Sequence, residues 1–145
     1  MTNKNTVYTV TPPDLKLNLI GPSVLLLGVT LEEHQPYADL YDKLFPEVEI
    51  TFYVGDDQIN HETVPWYRAC AGMASSIFVN LDNVTAEEVF LAVQVELEKR
   101  ALVFWMSEEK TNPMLVSLLN SYQYQVFSTL DEVEQFLLNE YGKNS

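Results

Sequence analysis

Short apolar runs alternate with amphipathic stretches from about residue 23 onward, and this alternation constrains the fold most. The apolar runs are residues 24–29, 48–54, 77–81, 102–106 and 125–127. Strand signals alternating with helix signals predict a parallel sheet covered on both faces. Right-handed crossovers restrict the strand order, and 2-1-3-4-5 is the commonest for this number of strands.

The intervening stretches carry helical stripes. Tyr37, Leu40, Tyr41 and Leu44 mark the first, with Pro36 in its first turn. Trp66, Ala69, Cys70 and Met73 mark the second, where Pro65 suits the start. The third opens on Thr85 with Glu88 three residues on, a capping box. Its inward stripe is predicted as Ala86, Val89, Phe90, Val93 and Leu97, leaving Leu91 and Val95 outward as an apolar interface. The fourth starts at Asn112-Pro113 and packs through Met114, Leu115, Leu118 and Leu119. The last is capped by Ser128 or Thr129 and faces inward through Leu130, Val133, Phe136 and Leu137.

Together these elements predict an α/β three-layer sandwich of flavodoxin-like architecture, with a five-stranded, mostly parallel sheet. Residues 1–22 read differently. Their period-two alternation, broken by Pro12 and Pro13, predicts an extended N-terminal arm or edge strand. Such an arm covers the sheet edge or reaches a neighbouring subunit. Residues 23–141 are then a single α/β domain, and 142–145 a frayed tail.

Charge narrows the partners. With 21 acidic against 8 basic residues the net charge is −13. Between Leu44 and Glu98 the only base is Arg68. Such a surface repels phosphate backbones, which excludes direct nucleic-acid binding and favours solubility or a basic protein partner. A nucleic-acid mimic needs ordered carboxylate rows, whereas these acids are scattered in pairs such as Glu32-Glu33 and Glu87-Glu88. No apolar run approaches the ~18 residues of a membrane span, and residues 1–6 carry no apolar signal core, so a cytoplasmic protein is expected. One cysteine, Cys70, rules out an intramolecular disulfide. Its place on a core stripe predicts a small packing residue rather than a nucleophile.

Motifs exclude more than they support. Neither a dinucleotide nor a P-loop glycine fingerprint is present, nor a G-x-S-x-G elbow. His34 and His61 are the only histidines, leaving few triads to build. Asp56, Asp57, His61 and Glu62 share a polar loop but lack calcium-loop spacing, so no metal and no cofactor is expected. Ligands of such sheets bind beyond the strands' carboxyl ends, where strand order reverses. That rim contains Thr30, Asn80, Asp82, Asn83 and Ser107, the candidate ligand contacts, with Tyr53 or Trp66 to stack a base.

Residues 80–88, NLDNVTAEE, resemble the nucleoside 2-deoxyribosyltransferase-like group and its relatives with Toll/interleukin-receptor-like folds. The pattern extends through RALVFW at 100–105, and the architecture through 24–137. The resemblance implies Glu87 or Glu88 as the catalytic carboxylate at the sugar anomeric carbon, and Asp82 as a sugar or base contact. The chain departs from the group at VTLEE, 29–33, which runs straight into a helix where the group has a substrate loop. Glu88 also has a structural role as the cap partner of Thr85. Receiver domains share the architecture, but Gly28-Val-Thr30 replaces their acidic pair and Ser128-Thr129 their lysine, which excludes Asp82 as phosphoacceptor. The chain also resembles small uncharacterised proteins of large tailed bacteriophages, through TPPD at 11–14 and Trp66-Tyr67 after a polar loop.

Two functions follow. The first is a non-catalytic accessory protein that binds a protein partner and self-associates as a homo-oligomer. The second is a nucleoside- or nucleotide-binding domain, acting on glycosidic bonds if Glu87 and Glu88 are catalytic.

Overall fold

The computed structural model describes residues 6–9, 22–55, 63–108 and 111–141. Strands β2 (Ser23–Leu27), β3 (Thr51–Gly55) and β4 (Ser76–Asn80) are buried along nearly their whole length. Runs buried on both faces need no polar alternation, but they do need helices above and below. With β1 (Thr6–Thr9), β5 (Leu102–Met106) and β6 (Val126–Phe127) they form one sheet, in the order β1-β3-β2-β4-β5-β6. Every pairing is parallel.

The five strands from β2 to β6 therefore take the order 2-1-3-4-5. The sheet gains a sixth strand because β1 pairs with the free edge of β3, Thr6 opposite Thr51 and Thr9 opposite Val54. That much of the N-terminal segment is an edge strand of the same sheet. The expectations for residues 10–21, the 56–62 loop and the 142–145 tail lie outside the described residues.

Helices α1 (Gln35–Leu44) and α5 (Leu130–Tyr141) cover one face, and α2 (Val64–Met73), α3 (Ala86–Glu98) and α4 (Pro113–Ser121) the other. Winding reverses at β2, and crossovers of one hand that run in opposite directions place their helices on opposite faces. The strands supply both cores by alternation. Leu25, Tyr53, Ile77 and Trp105 point to α2, α3 and α4. Val24, Leu26, Phe52, Phe78 and Phe104 point to α1 and α5. Tyr41, on the second side, lies edge-on to Phe78 and Phe52 and places its hydroxyl 2.6 Å from that of Ser76.

Two glycines set close approaches. Gly28 ends β2 at φ +75°, and a Cβ there would lie 2.7 Å from the Asn80 carbonyl oxygen. This is why the first strand stops at Leu27 rather than running to residue 29. At Gly55 a Cβ would stand 2.5 Å from the Tyr67 ring, so the end of β3 takes α2 against bare backbone. The second strand begins at Thr51, not residue 48, since Val48 and Glu49 are exposed.

Four helices start as expected. Prolines occupy the first turns of α1, α2 and α4. Thr85 and Glu88 form the capping box of α3: Glu88 Oε1 accepts from the Thr85 N–H at 3.0 Å, and Thr85 Oγ1 accepts from the Glu88 N–H at 3.3 Å.

The orientation of α3 corrects the sequence reading. Val95 is 0% exposed and Ala92 is equally buried, while Phe90 is 76% and Leu97 69% exposed. Leu91 is half-buried and packs against the core. The Leu91/Val95 pair is thus not an outward face. Apolar residues occur around most of α3, so periodicity admits two stripes. The sheet selects the one centred on Ala92, whose small side chain permits close packing. Helix α4 departs in the same sense. Leu119 is its one buried side chain, and Met114 and Leu118 face solvent, because α4 covers only the narrow end of the sheet at β6.

Candidate functional site

The crevice expected at the reversal of strand order is present. It is a cavity of about 480 Å³ at the carboxyl ends of β2, β4, β5 and β6. Val29 enters it after β2, and Glu33, Pro36 and Tyr37 come from the turn and first residues of α1. Asn80, Asp82 and Asn83 follow β4, Met106 and Glu108 end β5, and Ser128, Thr129 and Leu130 lead into α5. The size falls in the range of small-molecule sites.

Asp82 organises one wall. Its carboxylate accepts from the Ser107 hydroxyl (3.0 Å), the Glu108 N–H (2.9 Å), and both the N–H and hydroxyl of Thr111 (3.1 and 3.0 Å). Asn112 supports the same junction by donating its side-chain amide to the Leu81 carbonyl. Asn80 turns its side-chain oxygen to the Asp82 N–H at 3.2 Å, and Asn83 donates to the Gly28 carbonyl at 3.4 Å. The loops after β2, β4 and β5 are thereby joined by side chains.

The cavity is electronegative. Glu33, Asp82 and Glu108 line it, and no described lysine, arginine or histidine does. Tyr37 registers this field. Burial first, then the Glu33 and Glu108 charges, push its phenol up to about 12. Such a wall repels phosphates and accepts neutral or cationic groups.

The sequence-predicted site residues divide. Asn80, Asp82 and Asn83 line the cavity. Ser107 stands behind it, 1% exposed and committed to Asp82. Thr30 is exposed at the rim, where its N–H and hydroxyl both donate to Glu33 Oε1 at 3.0 Å. Tyr53 and Trp66 correct the stacking expectation. Both are 0% exposed and pack edge-to-face in the core, 6.0 Å apart, so neither presents a ring to a base.

Glu87 and Glu88 do not share a site either. Glu88 is buried in its capping box, and its carboxyl lies above the ordinary 4.5 because burial outweighs the Thr85 and Gly28 hydrogen bonds. Glu87 is exposed and borders a groove between α2 and α3, away from the rim. Among the described residues no lining serine is paired with a base. Cys70 is 0% exposed, and burial drives its thiol far upward, as a core residue requires. Among the described residues no cluster of three His, Cys, Asp or Glu side chains could hold a metal.

Two sets of residues escaped the sequence reading. Tyr37 belongs to the predicted core stripe, yet it also lines the cavity with Glu33, from the turn before α1, and with Glu108, on the predicted rim after β5. The second set is the α2–α3 groove, about 530 Å³, bordered by Val64, Tyr67, Phe90, Leu91 and Leu97 with Arg68 and Glu87 at its margin. No described helix is long and apolar enough to cross a membrane. No known protein family's model matches the chain, and neither does any curated protein.

Proposed function

We propose that this protein is a non-catalytic interaction domain that self-associates through its α2–α3 face, the partner being a second copy of the chain. The observation that carries this reading is the apolar groove edged by Phe90 and Leu97, 76% and 69% exposed. Exposed aromatic and aliphatic side chains gathered in one groove mark an interface, whereas singly scattered ones do not. The margins fit a two-fold contact. Such a contact sets each residue i against j and each j against i. Arg68 and Glu87 are opposite charges on the same margin, and Arg68 makes no ion pair among the described residues. Paired across the axis, each meets its complement.

Charge predicts how the association responds to salt. Two chains of −13 repel at low ionic strength, and salt screens that repulsion while leaving apolar contact intact. Sedimentation velocity tests this. A concentration-dependent dimer, tighter at higher salt and lost in Phe90→Asp with the fold retained, is the expected result. A monomer at every concentration and salt overturns the proposal. So does capture only of a basic protein partner in a complex that salt dissolves.

A further inference from the structure

We infer that the strand-end cavity is a binding site for a small organic ammonium ion carrying an apolar body. The inference is independent of the α2–α3 face.

Three observations carry it. Tyr37 is nine-tenths buried at 9% exposure and lines the cavity, and its hydroxyl, which has no side-chain partner among the described residues, is not sealed from solvent. A ligand in the cavity can therefore meet the one polar atom of an otherwise buried side chain. Glu33 and Glu108 line the same cavity as this hydroxyl. Second, those carboxylates retain capacity. Glu33 uses only Oε1 on Thr30, and the Glu108 carboxylate makes no hydrogen bond among the described residues. Asp82, by contrast, is occupied by its loop donors. Third, the floor is apolar, from Val29, Met106 and Leu130.

This combination selects among ligands. An anion meets carboxylates and no described base. A bare divalent cation needs several oxygens converging at fixed geometry, and the described acids form no such group. A base has no exposed ring among the expected residues to stack on, since Tyr53 and Trp66 are in the core. An ammonium head donates to the carboxylates and to the Tyr37 hydroxyl oxygen, and leaves its hydrocarbon on the floor.

The test is an amide-resolved NMR titration of the full chain with 2-phenylethylamine, in buffer salt that screens general attraction to an acidic surface. Its neutral counterpart 2-phenylethanol and adenosine form the comparison arms. Saturable shifts centred on Val29, Tyr37 and Leu130 with the amine, and far weaker ones with the alcohol, are expected. Glu33→Gln with Glu108→Gln weakens binding about tenfold or more, as loss of charged hydrogen bonds does. Tyr37→Phe weakens it less, and Glu140→Gln leaves it unchanged. Amide dispersion reports that each variant is folded. Non-saturating shifts spread over the acidic surface, equal binding of amine and alcohol, or saturation by adenosine alone each overturn the inference. Failure here leaves the α2–α3 proposal standing, since the two faces give separate resonances.

Discussion

Thr111 donates both its backbone N–H and its hydroxyl to Asp82 Oδ1, at 3.1 and 3.0 Å, across 29 residues of sequence. Asp82 lies in the β4–α3 connection and Thr111 in the β5–α4 connection. One carboxylate thus fixes the geometry between two crossovers, on the wall of the cavity at the carboxyl ends of the strands. Its chemistry is positional: an acceptor surrounded by donors is not available as a nucleophile.

Replacing that carboxylate should loosen the rim. Asp82→Ala leaves the Ser107 hydroxyl and the Glu108 and Thr111 N–H groups without their acceptor. A loss of about 1–3 kcal/mol is expected, the cost of stranded partners of a charged group. Urea unfolding measures it, and hydrogen exchange should show faster opening at residues 107–112 than in α5.

Glu88 should make stability depend on pH in an unusual direction for an acid. Its folded carboxyl lies above the ordinary 4.5, so the folded chain holds this proton more tightly than the unfolded chain. The stabilising contribution is complete below about 4.5 and is lost as pH rises through the higher folded value. Glu88→Gln resembles the protonated form and can keep an oxygen on the Thr85 N–H. It should melt higher than the parent at neutral pH, with the difference vanishing in acid. Thermal melts of both proteins at several pH values check this, and a difference independent of pH would contradict it.

Gly28→Ala should destabilise the chain. The position is left-handed at φ +75°, and the added Cβ meets the Asn80 carbonyl oxygen at 2.7 Å and Val84 Cγ1 at 2.8 Å. Alanine at positive φ costs more than the ~1 kcal/mol it gains elsewhere from chain stiffness. The two urea midpoints compare directly, and the shifted amides should include Asn80 and Asn83.

Cys70 should react only through unfolding. It is 0% exposed, and burial holds its thiol protonated at neutral pH, whereas the thiolate is the reactive species. Labelling with a chromogenic disulfide should be slow in buffer and complete in urea, with a midpoint matching the unfolding curve. Rapid labelling of the folded chain would show α2 to be open.

Facing distinguishes the two sides of α3. Val95→Asp buries a charge within the core beside Trp105 and should prevent folding. Phe90→Asp alters a side chain 76% exposed and should change stability by less than about 0.5 kcal/mol. Circular dichroism of the two variants separates them.

The α/β architecture was legible in the chain because it follows from local periodicity. Apolar runs such as 102–106 read as strands when helical stripes flank them, and the observed β5 has those bounds. The Thr85–Glu88 box was equally legible, since a cap spans four residues. The rim's Asn80, Asp82 and Asn83 followed from the strand order.

What escaped was whatever depends on residues distant in sequence. An all-round apolar helix such as α3 has no preferred face until the sheet and α2 approach it, and that approach chose Ala92 and Val95 over Phe90 and Leu97. Tyr53 reads as a rim residue from its strand, but whether its ring meets a ligand or Trp66 is settled by α2. Asp82 reads as a free carboxylate until Ser107 and Thr111 fold onto it. The sequence by itself determined the elements, their order and the end of the sheet where a cavity forms, because these arise from neighbouring side chains and one chiral rule. Only the tertiary structure decided which face of each helix is buried and which carboxylates are left to bind, because those depend on packing between segments distant in the chain.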